Sequence, residues 1–260
     1  MGPNGRIFRW ISAVALLFIL TAGSTPVTSL LTGETVAVIG TGRVGGALGP
    51  RFAKLGYVVV YGSRDPTQAK VKELVARTGE HASAASQRDA VKKADIVVLA
   101  VPWTAAEGVI KGVGDLDGKI IIDVTNAIRM SDDGHMERAV ETSGAELIQS
   151  WAPGAALVKA FNVMSYLVMA DPSTAGGPVT VPVVGDDREA KQKVREIIEA
   201  MGFESEDLGP LRNAQYLEGM AVLYMVPLLE GRMADSFEYY LRKNPERYGP
   251  STSTEVRAAE

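Results

Sequence analysis

The chain has 260 residues, 46% hydrophobic and 22% charged, an ordinary globular composition with enough apolar residues for a sizeable core. A net charge of −4 gives no nucleic-acid footprint, and the absence of cysteine excludes disulfides, thiolate catalysis and cysteine-ligated metals. His81 and His135 lie far apart with no ligand spacing around them, so no metal site is expected.

At the N-terminus, Arg6 and Arg9 precede an apolar run from Ile11 to Ala22, followed by a polar stretch from Gly23 to Ser29. These are the parts of a secretory signal peptide. With no charge from Trp10 to Gly33, an uncleaved anchor is the second reading of residues 1–33, and a misplaced start of a cytosolic protein is the third. Any membrane contact is expected through this segment. The compartment follows it: exported or anchored if the signal is real, cytoplasmic otherwise.

Thr35 to Ile39 is a short β-branched run suited to a buried parallel strand. Gly40, Gly42 and Gly45 follow in G-x-G-x-x-G spacing, with Thr41, Arg43 and Val44 between them. Gly40 permits the tight turn, Gly42 has no Cβ to block a pyrophosphate, and Gly45 lets the next helix sit close to the strand. That helix is predicted from Arg43 to Leu55, its positive end aimed at phosphate. A second strand follows over Tyr57–Tyr61.

The second strand runs out into Gly62-Ser63-Arg64, with no carboxylate before Asp65. An acid here would accept from the ribose 2′-hydroxyl of NAD and repel a 2′-phosphate. Ser63 can donate to that phosphate, Arg64 can pair with it, and Gly62 leaves room. The cofactor reading is therefore NADP(H), with Gln68 and Lys70 one helical turn further on.

Residues 67–77, 86–94 and 104–112 read as helices, and Asp95–Val101 and Lys119–Val124 as buried strands. The alternation predicts an α/β fold, a Rossmann-type doubly wound parallel sheet. Leu157–Phe161, Val179–Val184 and Phe203–Leu208 add strands, and a helix covers about 188–201. A short C-terminal helical extension runs from Pro210 to about Tyr240, broken or kinked near Pro227. The Rossmann unit is set at 34–242, and residues 243–260 read as a disordered tail. Ligands are expected at the carboxyl ends of the strands. Ala100, Val101, Pro102 and Trp103 fall there, as do Asn126 and the stretch from Lys159 through Asn162 to Ser165. Each asparagine could equally cap a turn, and Trp103 could wall a pocket or pack. Lys159 could be a base, or pair with backbone or phosphate. His135 lies in a loop-like SDDGHMER stretch.

The pieces VIGTGRVGGALGPRFAKLGYVVVYGSRDP, ADIVVLAVPW, KIIIDVTNAI, LVKAFNVMS, VPVVGDDREAKQKVREIIEAMGF and LGPLRNAQYLEGMA resemble the family of NADP oxidoreductases dependent on the deazaflavin coenzyme F420. KAFN-x-x-S is also similar to the cytoplasmic domain of the six-transmembrane ferric reductases (STEAP). The resemblance implies NADP held by Thr41, Ser63 and Arg64, with Pro102 and Trp103 near the nicotinamide. It implies a second ring near Asn162, Val163 and Met164 and the C-terminal helices, and pairing into homodimers. The chain departs from the family pattern at Gln68, where a basic residue often completes the 2′-phosphate pocket, and in its apolar leader.

Direct hydride transfer between nicotinamide and a flavin-like ring needs stacking and alignment, not a strong acid or base, and no catalytic triad or carboxylate dyad is evident. Tyr216, Met220, Leu223 and Pro227 recur at helical spacing; the default reading is core, and the functional one a wall for the second ring, with Met220 in contact. The function read from the chain is an NADPH-dependent oxidoreductase with a deazaflavin or flavin acceptor. The alternatives are a flavin or ferric reductase of the STEAP type and a non-catalytic NADP-binding sensor.

Overall fold

The computed structural model describes residues 33–244. The expected leader lies outside them but for Gly33, and so does the expected tail after its first two residues. The chain runs β1 (Thr35–Ile39), α1 (Arg43–Lys54), β2 (Val58–Ser63), α2 (Ala69–Thr78), β3 (Ala82–Ser86), α3 (Gln87–Lys93), β4 (Ile96–Leu99), α4 (Trp103–Gly112) and β5 (Ile120–Asp123). A small hairpin, β6 (Ile128–Met130) and β7 (Met136–Arg138), precedes α5 (Gly144–Trp151), β8 (Ala156–Lys159) and α6 (Tyr166–Ala170). Then come β9 (Thr180–Gly185), α7 (Arg188–Ala200), β10 (Glu204–Asp207) and α8 (Ala214–Leu229).

Eight strands form one sheet in the order β3-β2-β1-β4-β5-β8-β9-β10. β1 lies between β2 and β4, both parallel to it, so the winding reverses there and leaves a crevice at the carboxyl ends of β1 and β4. Val36, Val38, Val59, Tyr61, Ile96, Val98, Ile122 and Val158 bury one face, packed with Leu48, Phe52, Val194 and Ile198 of α1 and α7. Ala37, Ile39, Val60, Val97, Leu99, Ile121 and Leu157 bury the other, against α3, α4, α5 and the start of α8. Both faces are covered, which is why these strands read as unbroken apolar runs rather than alternating ones.

Four features differ from the sequence reading. The sheet is not wholly parallel: β9 runs antiparallel to β8. The connection holds only the five-residue α6 and a 3-10 turn at Pro172–Ala175, with no crossover helix of the kind that joins parallel strands, and β9 runs back so that its last residues, Val184 and Gly185, pair with Lys159 and Val158. β3 went unread because Ala-Ser-Ala-Ala-Ser lacks an apolar run; as an edge strand, paired with β2 alone, it needs none. The SDDGHMER stretch contributes the second strand of a hairpin, with Ile128 facing Arg138 and Met130 facing Met136. Last, α8 passes through Pro227 and stops at Leu229; from there to Tyr240 the only helical turn is the short 3-10 turn Met233–Asp235. It folds back as a strap, where the Thr180 N–H donates to the Tyr239 carbonyl at 2.9 Å and the Tyr239 hydroxyl to the Met220 carbonyl at 2.9 Å. Among the described residues no helix is long and apolar enough to cross a membrane.

Candidate cofactor and hydride-transfer site

The glycine turn joins β1 to α1 at the crevice. Gly40 stands at φ +116°, and a Cβ there would come 2.1 Å from the Ala100 carbonyl oxygen at the end of β4. A Cβ on Gly45 would sit 1.9 Å from the Gly40 oxygen. Protein packing thus enforces both glycines. Gly42 differs: it precedes α1 at an ordinary φ of −82°, and a Cβ there meets nothing within 4 Å. The free space lies where a pyrophosphate approaches the first N–H groups of α1, and no acidic residue occupies that first turn. Thr41 is half-buried beside it, Val44 packs against the core, and Arg43 is exposed with its guanidinium 5.3 Å from the Tyr166 ring centroid.

At the end of β2, Ser63 is buried; its hydroxyl donates to the Asp65 carbonyl at 2.9 Å and accepts the Asp65 N–H at 3.2 Å. The Asp65 carboxylate turns onto the Thr67 hydroxyl and N–H, and these bonds hold its pKa below the usual carboxylate range. Arg64 is exposed and makes no ion pair among the described residues. A cleft of about 280 Å³ runs from Thr41 and Gly42 to Lys70 and Arg77 on α2, with Arg77 donating to the Gly46 carbonyl at 3.1 Å. A Cβ on Gly62 would lie 2.4 Å from the tip of Ile39 and 3.2 Å from the Gln87 Cα of α3, so close packing under α3 also favours glycine there.

Further along the crevice, the Ala100 N–H pairs with the Ile39 carbonyl at 2.8 Å, Val101 packs on the core, and the exposed Pro102 precedes α4. Trp103 opens α4, half-buried, and stacks on Trp151, ring centroids 5.8 Å apart, over Gly144. The two asparagines meet. Asn126 Nδ2 donates to the Asn162 carbonyl at 2.9 Å, and Asn162 Nδ2 donates to Asn126 Oδ1 at 2.9 Å and to the Leu217 carbonyl of α8 at 3.0 Å. These asparagines therefore join three elements instead of capping a turn. Val163 and Met164 are buried in the core. Their side chains point inward, so any contact with a second ring at this turn falls to Asn162 and the turn's backbone. On α8 the core face is Ala214, Leu217, Glu218 and Ala221. Tyr216 and Leu223 are exposed, at 65% and 60%, and Met220 is half-buried, so of that stripe only Pro227 is core.

Two groups of residues went unread. Asp123, Lys159 and Glu218 are wholly buried, with Lys159 Nζ 2.8 Å from Asp123 Oδ2 and 3.2 Å from Glu218 Oε1. Burial pulls the Lys159 pKa down, but Asp123 and Glu218 outweigh it and the net direction is up. A buried, doubly paired ammonium cannot serve as a base, which removes that reading of Lys159. The signal was present: Glu218 is the one charge in AQYLEGMAVLYMVPLL, and Asp123 closes the apolar strand KIIID. The second group is Tyr224 with Glu238 of the strap, hydroxyl to carboxylate 2.8 Å. Burial raises both pKa values. Nothing in the sequence brings residue 238 back to residue 224. No group of side chains suited to a metal occurs among the described residues.

Residues 35–127 match the family described as NADP oxidoreductase, coenzyme F420-dependent. The F420-dependent NADP reductase of Methanothermobacter thermautotrophicus is 32% identical over 203 residues, 72% of this chain and 86% of that protein. The chain belongs to this family. A family structure agrees: a putative F420-dependent NADP reductase from Arthrobacter sp. FB24 superposes with a TM-score of 0.73 at 29% identity, over 81% of this chain and 100% of that one. The family fold thus accounts for β1 through α8, and the Rossmann reading holds with its antiparallel addition. The Metalloreductase STEAP3 of Rattus norvegicus is 32% identical over 186 residues, 71% of this chain. The match spans only 36% of that relative's length.

Proposed function

We propose that this protein is an NADPH-dependent oxidoreductase that moves hydride between NADPH and a deazaflavin (coenzyme F420) or flavin acceptor. One observation carries the cofactor half. At the carboxyl end of β2, where an NAD site would present a carboxylate, Arg64 stands exposed and unpaired, and the nearest acid is turned onto Thr67. The residues fit a dinucleotide phosphate. The space at Gly42 is open while Gly40 and Gly45 are closed by protein, and Lys70 and Arg77, two bases against the one acid Glu73, line the same cleft. Bound there, NADP(H) supplies the hydride. Thr41, Gly42 and the α1 N-terminus would hold the pyrophosphate, Ser63 and Arg64 the 2′-phosphate, and Ala100–Trp103 with Asn126 the ring end.

Family membership supports the acceptor half. A hydride passed between two stacked rings requires alignment and exclusion of water rather than a strong acid or base. The second ring would lie between the Asn162 turn and Met220. The test is to mix purified protein with NADPH and follow its oxidation with F420, FMN, FAD and ferric chelates in parallel. Oxidation with F420 supports the reading. Activity with flavins or ferric chelates alone would make it a flavin or ferric reductase, and tight NADPH binding with no oxidation would make it a sensor. Met220→Lys should abolish acceptor reduction while NADPH binding persists. We further read residues 1–33 as an export signal or anchor, and the exposed apolar side of α8 as the face through which two copies pair.

A further inference from the structure

Three ionisable side chains are wholly buried at the carboxyl edge of the sheet, and hydride transfer uses none of them directly. Asp123 closes β5, Lys159 closes β8, and Glu218 is the one charged residue of α8. Their bonding is complete. Lys159 Nζ reaches Asp123, Glu218 and the Thr125 carbonyl, the last at 2.8 Å. Asp123 Oδ1 accepts the Thr125 N–H and hydroxyl, and both Glu218 oxygens accept the Gly144 N–H, at 3.0 and 3.1 Å. A buried cluster of this kind contributes little net stability, since well-packed apolar groups often do as well or better. It does fix relative position.

What it fixes is Asn162. Asn162 lies three residues past Lys159, Asn126 three past Asp123, and Leu217 next to Glu218. Asn162 binds both Asn126 and Leu217, so each member of the cluster anchors one corner of the asparagine's hydrogen bonding. The backbone between Lys159 and Asn162 is held further by Phe161. This residue stands at φ +62°, a conformation a bulky side chain adopts only under constraint, with its buried ring edge-on to Phe203 at 6.1 Å.

We propose that Lys159 and Glu218 are positioning residues: their cluster with Asp123 sets the orientation of Asn162 and of the α8 turn beside it, and so aligns the nicotinamide with the second ring without touching either. The inference rests on the reductase reading above. Misplacement by about an ångström can lower such a rate roughly a hundredfold.

The test uses the full-length protein with Glu218→Gln and with the pair Lys159→Met/Glu218→Gln. The pair removes one charge of each sign and keeps an acceptor for the Gly144 N–H. Four quantities are read: melting temperature, NADPH dissociation constant, fluorescence emission of the bound nicotinamide, and kcat and KM for the acceptor. The expected result is NADPH affinity within about twofold of wild type, shifted nicotinamide emission, and kcat lowered tenfold or more. Wild-type emission and kcat in a folded variant overturn the proposal, as does a kcat that falls only in step with NADPH affinity. If the double variant does not fold, the near-isosteric Glu218→Gln decides alone. A wild type that reduces no acceptor defeats the reductase reading, while the emission measurement still decides the positioning role.

Discussion

Arg64 is the residue on which cofactor choice turns. It is exposed, so its charge is available to a ligand and its loss leaves the core untouched. Arg64→Ala should weaken NADPH binding roughly tenfold to a hundredfold, the loss of one charge-assisted hydrogen bond, and leave NADH binding nearly unchanged. Titration calorimetry with both nucleotides checks this; equal losses would remove Arg64 from the 2′-phosphate. The glycines divide by the same logic. A Cβ at Gly45 collides with the Gly40 carbonyl, so Gly45→Ala should unfold or grossly destabilise the protein. A Cβ at Gly42 collides with nothing in the protein. Gly42→Ala should therefore keep its melting temperature within a few degrees, at the modest cost of a poorer helix cap, and still lose most NADPH affinity. Circular dichroism melts beside nucleotide titrations separate the two effects.

Among the elements, the strap after α8 carries a pH dependence. Glu238 is partly buried against Tyr224, and burial raises its pKa above the ordinary value near 4.5. The folded state therefore holds this proton more tightly than the unfolded state. Its contribution to stability is full below the unfolded pKa and is lost as pH rises through the raised folded value. Glu238→Gln, which keeps an acceptor for the Tyr224 hydroxyl, should flatten the fall in melting temperature between those two values and leave the low-pH stability little changed. Scanning calorimetry across pH on both proteins measures it, and parallel curves would exclude Glu238 as the group responsible. α8 itself is apolar on nearly all sides, and Ala214, Leu217, Glu218, Ala221 and Pro227 are its buried residues. A helix of that kind has apolar surface left for another partner.

For the whole molecule, that surface sets the expected assembly. Tyr216 and Leu223 of α8 and Met233 after it are each at least 60% exposed, a concentration of large apolar groups near one end of the fold. If two copies pair there, Leu223→Lys should convert a dimer to a monomer in light scattering and leave the NADPH site of each copy intact. A wild-type protein already monomeric at micromolar concentration would end that reading. The same end of the molecule holds the Asn162 turn, the strap and the start of β9, so pairing would also shelter the acceptor side.

From β1 through β5, residue types alone determined most of the nucleotide half: an apolar strand, three spaced glycines, an amphipathic helix, and Arg64 where an acid would select NAD. Such information is local, carried within about thirty residues by backbone permissiveness and hydrophobic period. The direction of β9 was settled elsewhere, by a connection that holds no crossover helix. So was β3, an edge strand whose Ala and Ser residues carry no periodic signal. The resemblance placed a second ring near Val163 and Met164, and only packing showed their side chains turned into the core. Asp123 and Lys159 bond across 36 positions, Gly144 and Glu218 across 74, and Tyr224 and Glu238 through a reversal of the chain. Sequence spacing cannot encode those pairs, because whether a charge is buried, and against what, is decided when separate strand ends and a helix are packed together.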